Sequence, residues 1–281
     1  MVPQGFFRGR LVKEINAMKQ NVIPELPNEL LLRVTGAVAE ITLNRPEKLN
    51  TVTPDMGKAL VKLTDYINNT HEIRVVILSG TGARAFSAGS DIKVLDSYGS
   101  NWELRNRVDY ASCIWRIRKP VIAKIRGYCI GGGLEMALMS DIRYASDGAQ
   151  FGAGEIKLGW HGGAGNTQLL PRMISPGRAS ELLFTGDIID AVVAERFGLI
   201  DRLIPDGELD AKVMELAQKI ADNAPIAIEL AKHLVRVSMS TAVDIGLRYE
   251  NDTFAYCFTT EDSAEGRAAF TEKRKPEFNG R

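Results

Sequence analysis

Cysteine and histidine are scarce in this chain, and each shortage excludes a kind of site. The three cysteines, Cys113, Cys129 and Cys257, are far apart and odd in number, so they predict neither a disulfide framework nor a zinc knuckle. The three histidines have no metal-ligand spacing, and we therefore expect no metal site. Unpaired cysteines favour a reducing compartment, so we expect a cytoplasmic protein, or an organellar-matrix protein in a eukaryote.

An excess of charge of one sign and a long apolar run are also missing. Lys+Arg and Asp+Glu both total 35 in 281 residues, so the formal net charge is zero and no nucleic-acid partner is expected. No apolar run approaches the roughly 20 residues of a membrane span, so no membrane partner is expected either. Residues 1–28 carry basic residues without an apolar signal core, and we expect a surface extension there rather than a targeting segment.

Strand and helix patterns alternate through the first two thirds of the chain, which predicts an α/β fold. Residues 30–44 have the pattern of two strands around a Thr-Gly turn. Residues 74–80 and 120–127 are short, nearly continuous apolar runs that predict buried strands. Thr53 followed by Pro54 predicts the start of a helix.

The last third of the chain has a different sequence pattern. From about residue 176, long amphipathic patterns dominate, and Pro176 and Pro225 stand at expected helix starts. No low-complexity stretch or long linker separates this part from the rest. We therefore expect C-terminal helices that pack on the core or on another subunit.

Two glycine-bearing loops each follow a predicted buried strand. The loop TGARAFSAGSDI covers 81–92, and three consecutive glycines at 131–133 precede Glu135 at the start of an expected helix. N–H groups at helix starts are unpaired, and glycine lets a ligand approach them, so the loops predict an oxyanion hole. A third loop, 152–168, carries Glu155.

Two acids beside an oxyanion hole indicate proton transfer next to a carbonyl. A purely structural interpretation stays open on spacing alone, because glycines before helices and an acid in a first helical turn are common. The chain has no G-x-G-x-x-G or G-x-x-x-x-G-K-[ST] motif and no G-x-S-x-G around its loop serines. Those routes to nucleotide binding or an esterase triad are not supported.

Several segments together resemble the crotonase, or enoyl-CoA hydratase/isomerase, superfamily. The likeness covers roughly residues 29–278 and is carried by IAKIRGYCIGGGLEMALMSDI (122–142), ARAFSAGSDIK (83–93), FGAGEIKLG (151–159) and AFTEKRKPEF (269–278). The resemblance implies a spiral of ββα turns with a C-terminal helical region that builds trimers, often paired into hexamers. We accordingly divide the chain into an N-terminal extension (1–28), a spiral core with the active site (29–215) and a helical region (216–281).

The same resemblance implies an enzyme that adds water across the double bond of a 2-enoyl-CoA to give a 3-hydroxyacyl-CoA. The N–H groups of Ser90 and Gly132 would polarise the thioester carbonyl. Glu135 would deprotonate the attacking water, and Glu155 would deliver a proton to C2. Coenzyme A is part of the substrate in this scheme, and no separate cofactor is expected.

Further positions become candidate substrate contacts by the resemblance. They are Lys48, Ala88, Asp91, Ile92, Lys93, Gly131, Trp160, His161 and Lys273, with Arg274 beside the last. Lys273 and Arg274 would act across a subunit boundary. A basic surface helix is the alternative, which explains Lys273 equally well and explains Lys48, Lys93 and Arg274 better. Tyr110 and Trp115, on an expected helix over the same region, are interpreted as packing residues.

The stretch GWHGGAGNTQ departs from the family pattern. Trp160, His161 and Gly162 stand where a small or aliphatic residue and a proline are usual, and Asn166 replaces a glycine. A bulky Trp160 would either shorten the acyl pocket or form a wall for a ring-shaped or branched acyl group, whereas His161 is interpreted as a packed or surface residue. The alternatives to a hydratase are an enoyl-CoA isomerase with a single working glutamate, a specialised lyase or hydrolase, and a non-catalytic binder of CoA thioesters.

Overall fold

Residues 22–281 are described by a computed structural model of the chain. Most of the expected N-terminal extension therefore lies outside the described residues. In residues 22–281 no helix is long and apolar enough to cross a membrane. The elements alternate between strands and helices up to Ile204 and are almost entirely helical after it, so the α/β prediction is confirmed.

Two sheets form the centre of the fold. Six strands lie in the order β1 (Leu30–Thr35), β2 (Val38–Leu43), β3 (Val75–Gly80), β5 (Val121–Ile125), β7 (Ile142–Ser146) and β10 (Arg202–Ile204). Four short strands form the second sheet, β4 (Ala85–Ser87), β6 (Tyr128–Ile130), β8 (Gln150–Gly152) and β9 (Ile188–Asp190). The predicted hairpin and buried strands are thus confirmed.

From β3 to β8, consecutive strands of the chain alternate between the two sheets. β3, β5 and β7 are parallel neighbours in one sheet, and the strands that follow them, β4, β6 and β8, are parallel neighbours in the other. Each turn of the chain therefore adds one strand to each sheet, which is the expected ββα spiral. Because all three turns have the same direction, the ends of β4, β6 and β8 lie side by side.

Helices enclose these sheets. They are α1 (Pro54–Asn69), α2 (Ile92–Leu95), α3 (Asn101–Arg105), α4 (Tyr110–Arg116), α5 (Gly132–Met139), α6 (Asn166–Met173), α7 (Pro176–Thr185), α8 (Ala191–Phe197), α9 (Leu209–Ala221), α10 (Pro225–Ser238), α11 (Val243–Phe258) and α12 (Glu261–Glu272). Short 3₁₀ turns occupy Pro46–Lys48, Gly154–Leu158 and Asp206–Glu208. The helix starts predicted at Pro54, Pro176 and Pro225 are confirmed, and the Thr53 hydroxyl accepts the N–H of Met56.

Alternate residues of the large sheet face two different cores. Val76 and Leu78 of β3 pack between the sheets, whereas Val75 and Ile77 face α9 on the outer side. The side-chain period of two in a strand produces this division, and burial on both sides explains why the strand sequences are continuously apolar. The sequence boundary at 215/216 falls inside α9 and stays a prediction.

Charged groups join α10 to this core. The Asp141 carboxylate pairs with Lys232 at 2.6 Å and Arg236 at 3.1 Å, and it accepts the N–H of Val121 at the start of β5. The Arg236 guanidinium also lies 4.0 Å from the centre of the Trp115 ring. Trp115 therefore has the packing role that the sequence predicted.

Asn50 holds together the loops that follow β2 and β3. It is fully buried with φ +53°, its Oδ1 accepts the Arg45 N–H at 2.9 Å, and its Nδ2 donates to the carbonyls of Thr81 at 3.0 Å and Ala85 at 2.7 Å. A left-handed backbone suits asparagine better than most residues. One side chain thus connects the segment 45–52 to the entrance of β4.

We expect Asn50→Ala to lower the free energy of unfolding by about 3 kcal/mol, because it removes the partner of three backbone groups, one of them buried and two half-buried. Urea denaturation measures this change. Asn44→Ala is the matched control, since Asn44 donates one exposed hydrogen bond to Asn28 O, and we expect it to cost less than about 1 kcal/mol. Equal losses in the two variants would contradict the role assigned to Asn50.

Candidate active site

The two predicted oxyanion loops meet through their glycines. Gly89 has φ +85°, and a Cβ built on it would lie 2.5 Å from the backbone N of Gly132. A Cβ built on Gly133 would lie 2.0 Å from the carbonyl oxygen of Ser87. No side chain fits between these backbones, so glycine at 89 and 133 is required for the start of α5 to lie against the end of β4.

Both predicted oxyanion N–H groups are left available by the backbone pairing. Val52 donates to Gly89 O at 2.8 Å and accepts from the Asp91 N–H at 3.1 Å. In an extended segment, alternate peptide groups face opposite sides, so the N–H of Ser90 is directed away from Val52. Gly132 is the first residue of α5, and its N–H has no acceptor within the helix. The loop contact places these two donors next to each other.

Glu135 lies in the first turn of α5, as predicted, and only 6% of its surface is exposed. Its Oε1 accepts the backbone N–H of Ala164 at 2.7 Å, from the loop before α6. Burial raises the pKa of Glu135 from its usual 4.5 to about 7, and the negative charges of Glu155 and Asp109 add to this rise. A carboxyl with this pKa exchanges protons readily near neutral pH.

Glu155 lies in the 3₁₀ turn Gly154–Leu158 and is held by the first residue of α6. Its Oε1 accepts a hydrogen bond from Asn166 Nδ2 at 2.9 Å. A Cβ built on Gly131 would lie 3.7 Å from the same Oε1 and 3.7 Å from the carbonyl oxygen of Ala88. Glu155 therefore lies beside both oxyanion loops, with Ala88 and Gly131 between it and the predicted donors.

The two acids share a narrow region around Gly162. A Cβ built on Gly162 would lie 3.0 Å from Glu135 Oε1 and 2.9 Å from Asn166 Nδ2. Asn166 thus bridges the space between the two carboxyl groups, and Gly162 leaves that space free of a side chain. The structure brings together Ser90, Gly132, Glu135 and Glu155, which belong to three separate segments of the chain.

Tyr110 has a larger part in the site than the sequence suggested. Its hydroxyl lies 3.0 Å from Ser90 Oγ, and a Cβ built on Gly132 would lie 1.9 Å from the hydroxyl oxygen. Burial raises the pKa of Tyr110 well above its usual range, so the hydroxyl stays neutral. Tyr110 packs, as predicted, but it packs on the oxyanion loops. Nothing in its spacing distinguishes it from an ordinary core tyrosine.

The remaining candidate contacts lie at different distances from this cluster. Trp160 follows Glu155 and donates its backbone N–H to the Glu155 carbonyl oxygen at 3.3 Å, and 41% of its surface is exposed. His161 is exposed, with Nδ1 2.8 Å from the carbonyl oxygen of Gly162, which fits a surface residue. Asp91 forms an ion pair with Arg45 at 3.2 Å.

The predicted cationic contacts, and Ile92 beside Lys93, are all on the surface. Lys48, Ile92 and Lys93 are exposed near the first oxyanion loop, and Lys273 is exposed at the C-terminal end of α12. Arg274 pairs with Glu265 and Glu272 of α12. Within residues 22–281, the side-chain hydrogen bonds and ion pairs of Arg274 are with Glu265, Glu272 and Lys275 and not with Glu135 or Glu155. The part of Lys273 and Arg274 in a site therefore stays a prediction.

The described residues contain no set of side chains that could bind a metal ion. No group of three or more His, Cys, Asp and Glu side chains there is arranged to hold a metal ion. The cluster offers two N–H donors for a developing negative charge, one buried and one half-buried carboxyl group for proton transfer, and a neutral tyrosine beside them. This set suits the addition or removal of a proton next to a polarised carbonyl.

The spiral of strand pairs and this paired-acid site define a crotonase-type α/β protein. The sequence model of the enoyl-CoA hydratase/isomerase family matches residues 33–281, and the chain belongs to this family.

Several known proteins are similar in sequence to this chain over most of its length. It is 38% identical to the short-chain-enoyl-CoA hydratase of Clostridium acetobutylicum over 254 residues, covering 89% of this chain and 97% of the relative. It is 34% identical to the (E)-benzylidenesuccinyl-CoA hydratase of Thauera aromatica, covering 89% and 98%. The crystal structure of an enoyl-CoA hydratase from Bacillus anthracis superposes with a TM-score of 0.87 at 35% identity, covering 90% and 100%.

The raised pKa of Glu135 predicts a pH-dependent stability. Between about pH 4.5 and 7 the unfolded chain releases this proton while the folded protein keeps it, so stability falls as pH rises through that window. Glu135→Gln removes the cost of charging the buried group. We therefore expect it to raise the free energy of unfolding at pH 8 by about 3 kcal/mol, with little effect at pH 4.

Urea denaturation at pH 4, 6 and 8 measures this difference. Glu181→Gln, which replaces an exposed acid of α7, is the control and should follow wild type at every pH. An equal effect of Glu135→Gln at all three values would show that burial of Glu135 carries no charging cost.

Proposed function

We propose that the protein is an enoyl-CoA hydratase that adds water across the 2,3 double bond of a 2-enoyl-CoA and forms a 3-hydroxyacyl-CoA. The observation that carries this proposal is the pair of carboxyl groups, of Glu135 and Glu155, beside two free N–H donors. An oxyanion hole alone would suit any reaction through a thioester enolate. Two acids are what an addition needs, because one accepts a proton from water and the other gives a proton to carbon.

Binding of the thioester places its carbonyl oxygen on the N–H groups of Ser90 and Gly132. These donors withdraw electrons from the conjugated system, which makes C3 electrophilic and stabilises the enolate that forms when it is attacked. They belong to rigid loops fixed by Asn50 and by the glycine contacts, so the hole exists before substrate arrives. Losing one such donor typically lowers kcat by about 10²–10³-fold.

Glu135 is assigned as the base for water. The water oxygen attacks C3 while its proton passes to Glu135, and the π electrons move through C2 to the thioester oxygen. Glu155 then protonates C2, and the electrons of the enolate form the new C–H bond. The cycle ends with a proton on Glu135 and a negative charge on Glu155, and transfer of that proton back through solvent restores the starting state.

Other candidate residues take supporting roles in this proposal. Lys48 and Lys93 lie on the surface near the first oxyanion loop and are assigned to the phosphates of coenzyme A. Trp160, which follows Glu155 closely, is assigned to the wall of the acyl site. The family resemblance and this chemistry require no cofactor beyond the coenzyme A of the substrate, and the unpaired cysteines favour a reducing compartment.

We expect wild-type protein to consume crotonyl-CoA, followed as the loss of enoyl-thioester absorbance. Glu135→Gln and Glu155→Gln should each lower kcat by about 10²–10⁴-fold, because each removes one proton-transfer group. Glu181→Gln is the control and should behave as wild type.

The other readings give different results in the same assay. A binder of CoA thioesters would bind the substrate without turnover in any variant. An isomerase would move the double bond of a 3-enoyl-CoA and would need only one of the two acids. Activity on cinnamoyl-CoA but not on crotonyl-CoA would assign the site to an aromatic acyl group.

The protein is also proposed to form a homotrimer, alone or paired into a hexamer. α11 and α12 expose large apolar side chains that a monomer would leave in water, among them Val243, Ile245, Leu247, Phe254, Tyr256, Phe258 and Phe270. The partner assigned to this surface is a second and third copy of the chain, as the family resemblance implies. Ring formation by identical copies would bury the same face on each.

Light scattering after size-exclusion chromatography should give three or six times the 30.9 kDa of one chain. Phe254→Glu should reduce the assembly to smaller species, because it places a charge on an apolar interface. Val34→Glu, at an exposed position on β1, is the control and should leave the mass unchanged. A monomeric wild-type protein would contradict the assembly.

A further inference from the structure

Asn166 is the residue that holds Glu155, and it is not part of the paired-acid scheme. It is fully buried at the first position of α6, and its Nδ2 donates to Glu155 Oε1 at 2.9 Å. The Cβ position of Gly162 would lie only 2.7 Å from the Asn166 Cβ, so the side chain is confined from that side as well. Its amide therefore has a fixed position between the two carboxyl groups.

Two polar atoms of this pair are left without partners. Among residues 22–281, Glu155 Oε2 and Asn166 Oδ1 are the buried side-chain polar atoms that lack a hydrogen bond. A buried unpaired polar atom is costly and calls for a physical explanation. Asn166 occupies Oε1, so Oε2 is the oxygen of the Glu155 carboxyl that is left for a reacting group.

The two acids are held by different groups. Glu135 Oε1 accepts the backbone N–H of Ala164 at 2.7 Å, whereas Glu155 Oε1 accepts the side-chain amide of Asn166 at 2.9 Å. A substitution of Asn166 therefore removes the bond to Glu155 and leaves the bond to Glu135 in place.

We propose that Asn166 is a positioning residue for Glu155, holding Oε1 so that the proton is carried on Oε2 and delivered from there to C2 of the substrate. The inference deepens the proposed hydratase function and rests on it. In the protonation step the O–H bond at Oε2 breaks, the C–H bond at C2 forms, and the electrons of the enolate supply the new bond. Asn166 exchanges no proton itself.

A double-mutant cycle of Asn166→Ala and Glu155→Gln tests this role. Asn166→Ala should lower kcat for crotonyl-CoA about tenfold or more with KM within about twofold, because a misplaced acid slows proton transfer without weakening substrate binding. In the Glu155→Gln background the same substitution should cause no further loss, because Asn166 acts only through that acid. Equal losses in both backgrounds, or no loss in either, would overturn the proposal.

A second variant tests whether the loss of activity comes from the missing hydrogen bond or from a change in packing. Asn166→Asp keeps the size of the side chain and removes the N–H donor, so it should lose activity as Asn166→Ala does. Thr167→Ala, the next residue of α6, is the control and should retain wild-type kcat. Wild-type activity of Asn166→Asp would sink the idea that the Nδ2–Oε1 bond matters.

Two further readouts separate this inference from the hydratase assignment. Exchange of the C2 hydrogens of butyryl-CoA with D₂O needs Glu155 and the oxyanion hole but no attack by water. If the protein catalyses this exchange but no hydration, the hydratase assignment is wrong. The double-mutant cycle can then still be measured, with exchange rates in place of kcat. The melting temperatures of wild type, Asn166→Ala, Glu155→Gln and the double variant report the coupling between Asn166 and Glu155 without any turnover. Strictly additive changes in melting temperature would count against the proposal.

Discussion

The close approach of two glycine-bearing backbones is the constraint on which this site depends. Gly89 and Gly132 lie so near each other that a methyl group on the first would overlap the backbone of the second. This approach sets the spacing of the Ser90 and Gly132 donors, because each belongs to one of the two loops. A side chain at either contact would separate the loops and with them the two N–H groups, so steric contact between the loops fixes the geometry of the predicted oxyanion hole.

The spiral fold is what makes that approach possible. β4, β6 and β8 are parallel neighbours, and the loops that follow them therefore emerge at one edge of the small sheet. These loops carry Ser90, the start of α5 with Glu135, and the turn with Glu155. The three segments that carry the acids and the donors are 20 to 65 residues apart in sequence but adjacent in space, because three turns of the same direction bring equivalent positions together.

The site also contains buried polar groups that lower the stability of the fold. Glu135 is buried with its pKa raised to about 7, and Glu155 and Asn166 each keep one unpaired buried acceptor. An ordinary core would exclude such groups, since buried polar atoms without partners destabilise a fold. Here they are tolerated because the surrounding loops are fixed by Asn50 and by apolar packing between the sheets. Proteins commonly accept lower stability at the place where they carry out chemistry.

The sequence by itself determined the local elements and the identity of the acids and glycines. Period-two and period-3.6 patterns, proline at helix starts and the resemblance of several segments sufficed for the hairpin, the strands, the spiral and the positions of Ser90, Gly132, Glu135 and Glu155. Only the tertiary structure decided how Tyr110 and Asn166 are used. Tyr110 has the pattern of a core residue and Asn166 that of a loop substitution, and their contacts are with residues 20 and 11 positions away. Such contacts leave no periodic signal, because they depend on where separate turns of the spiral meet.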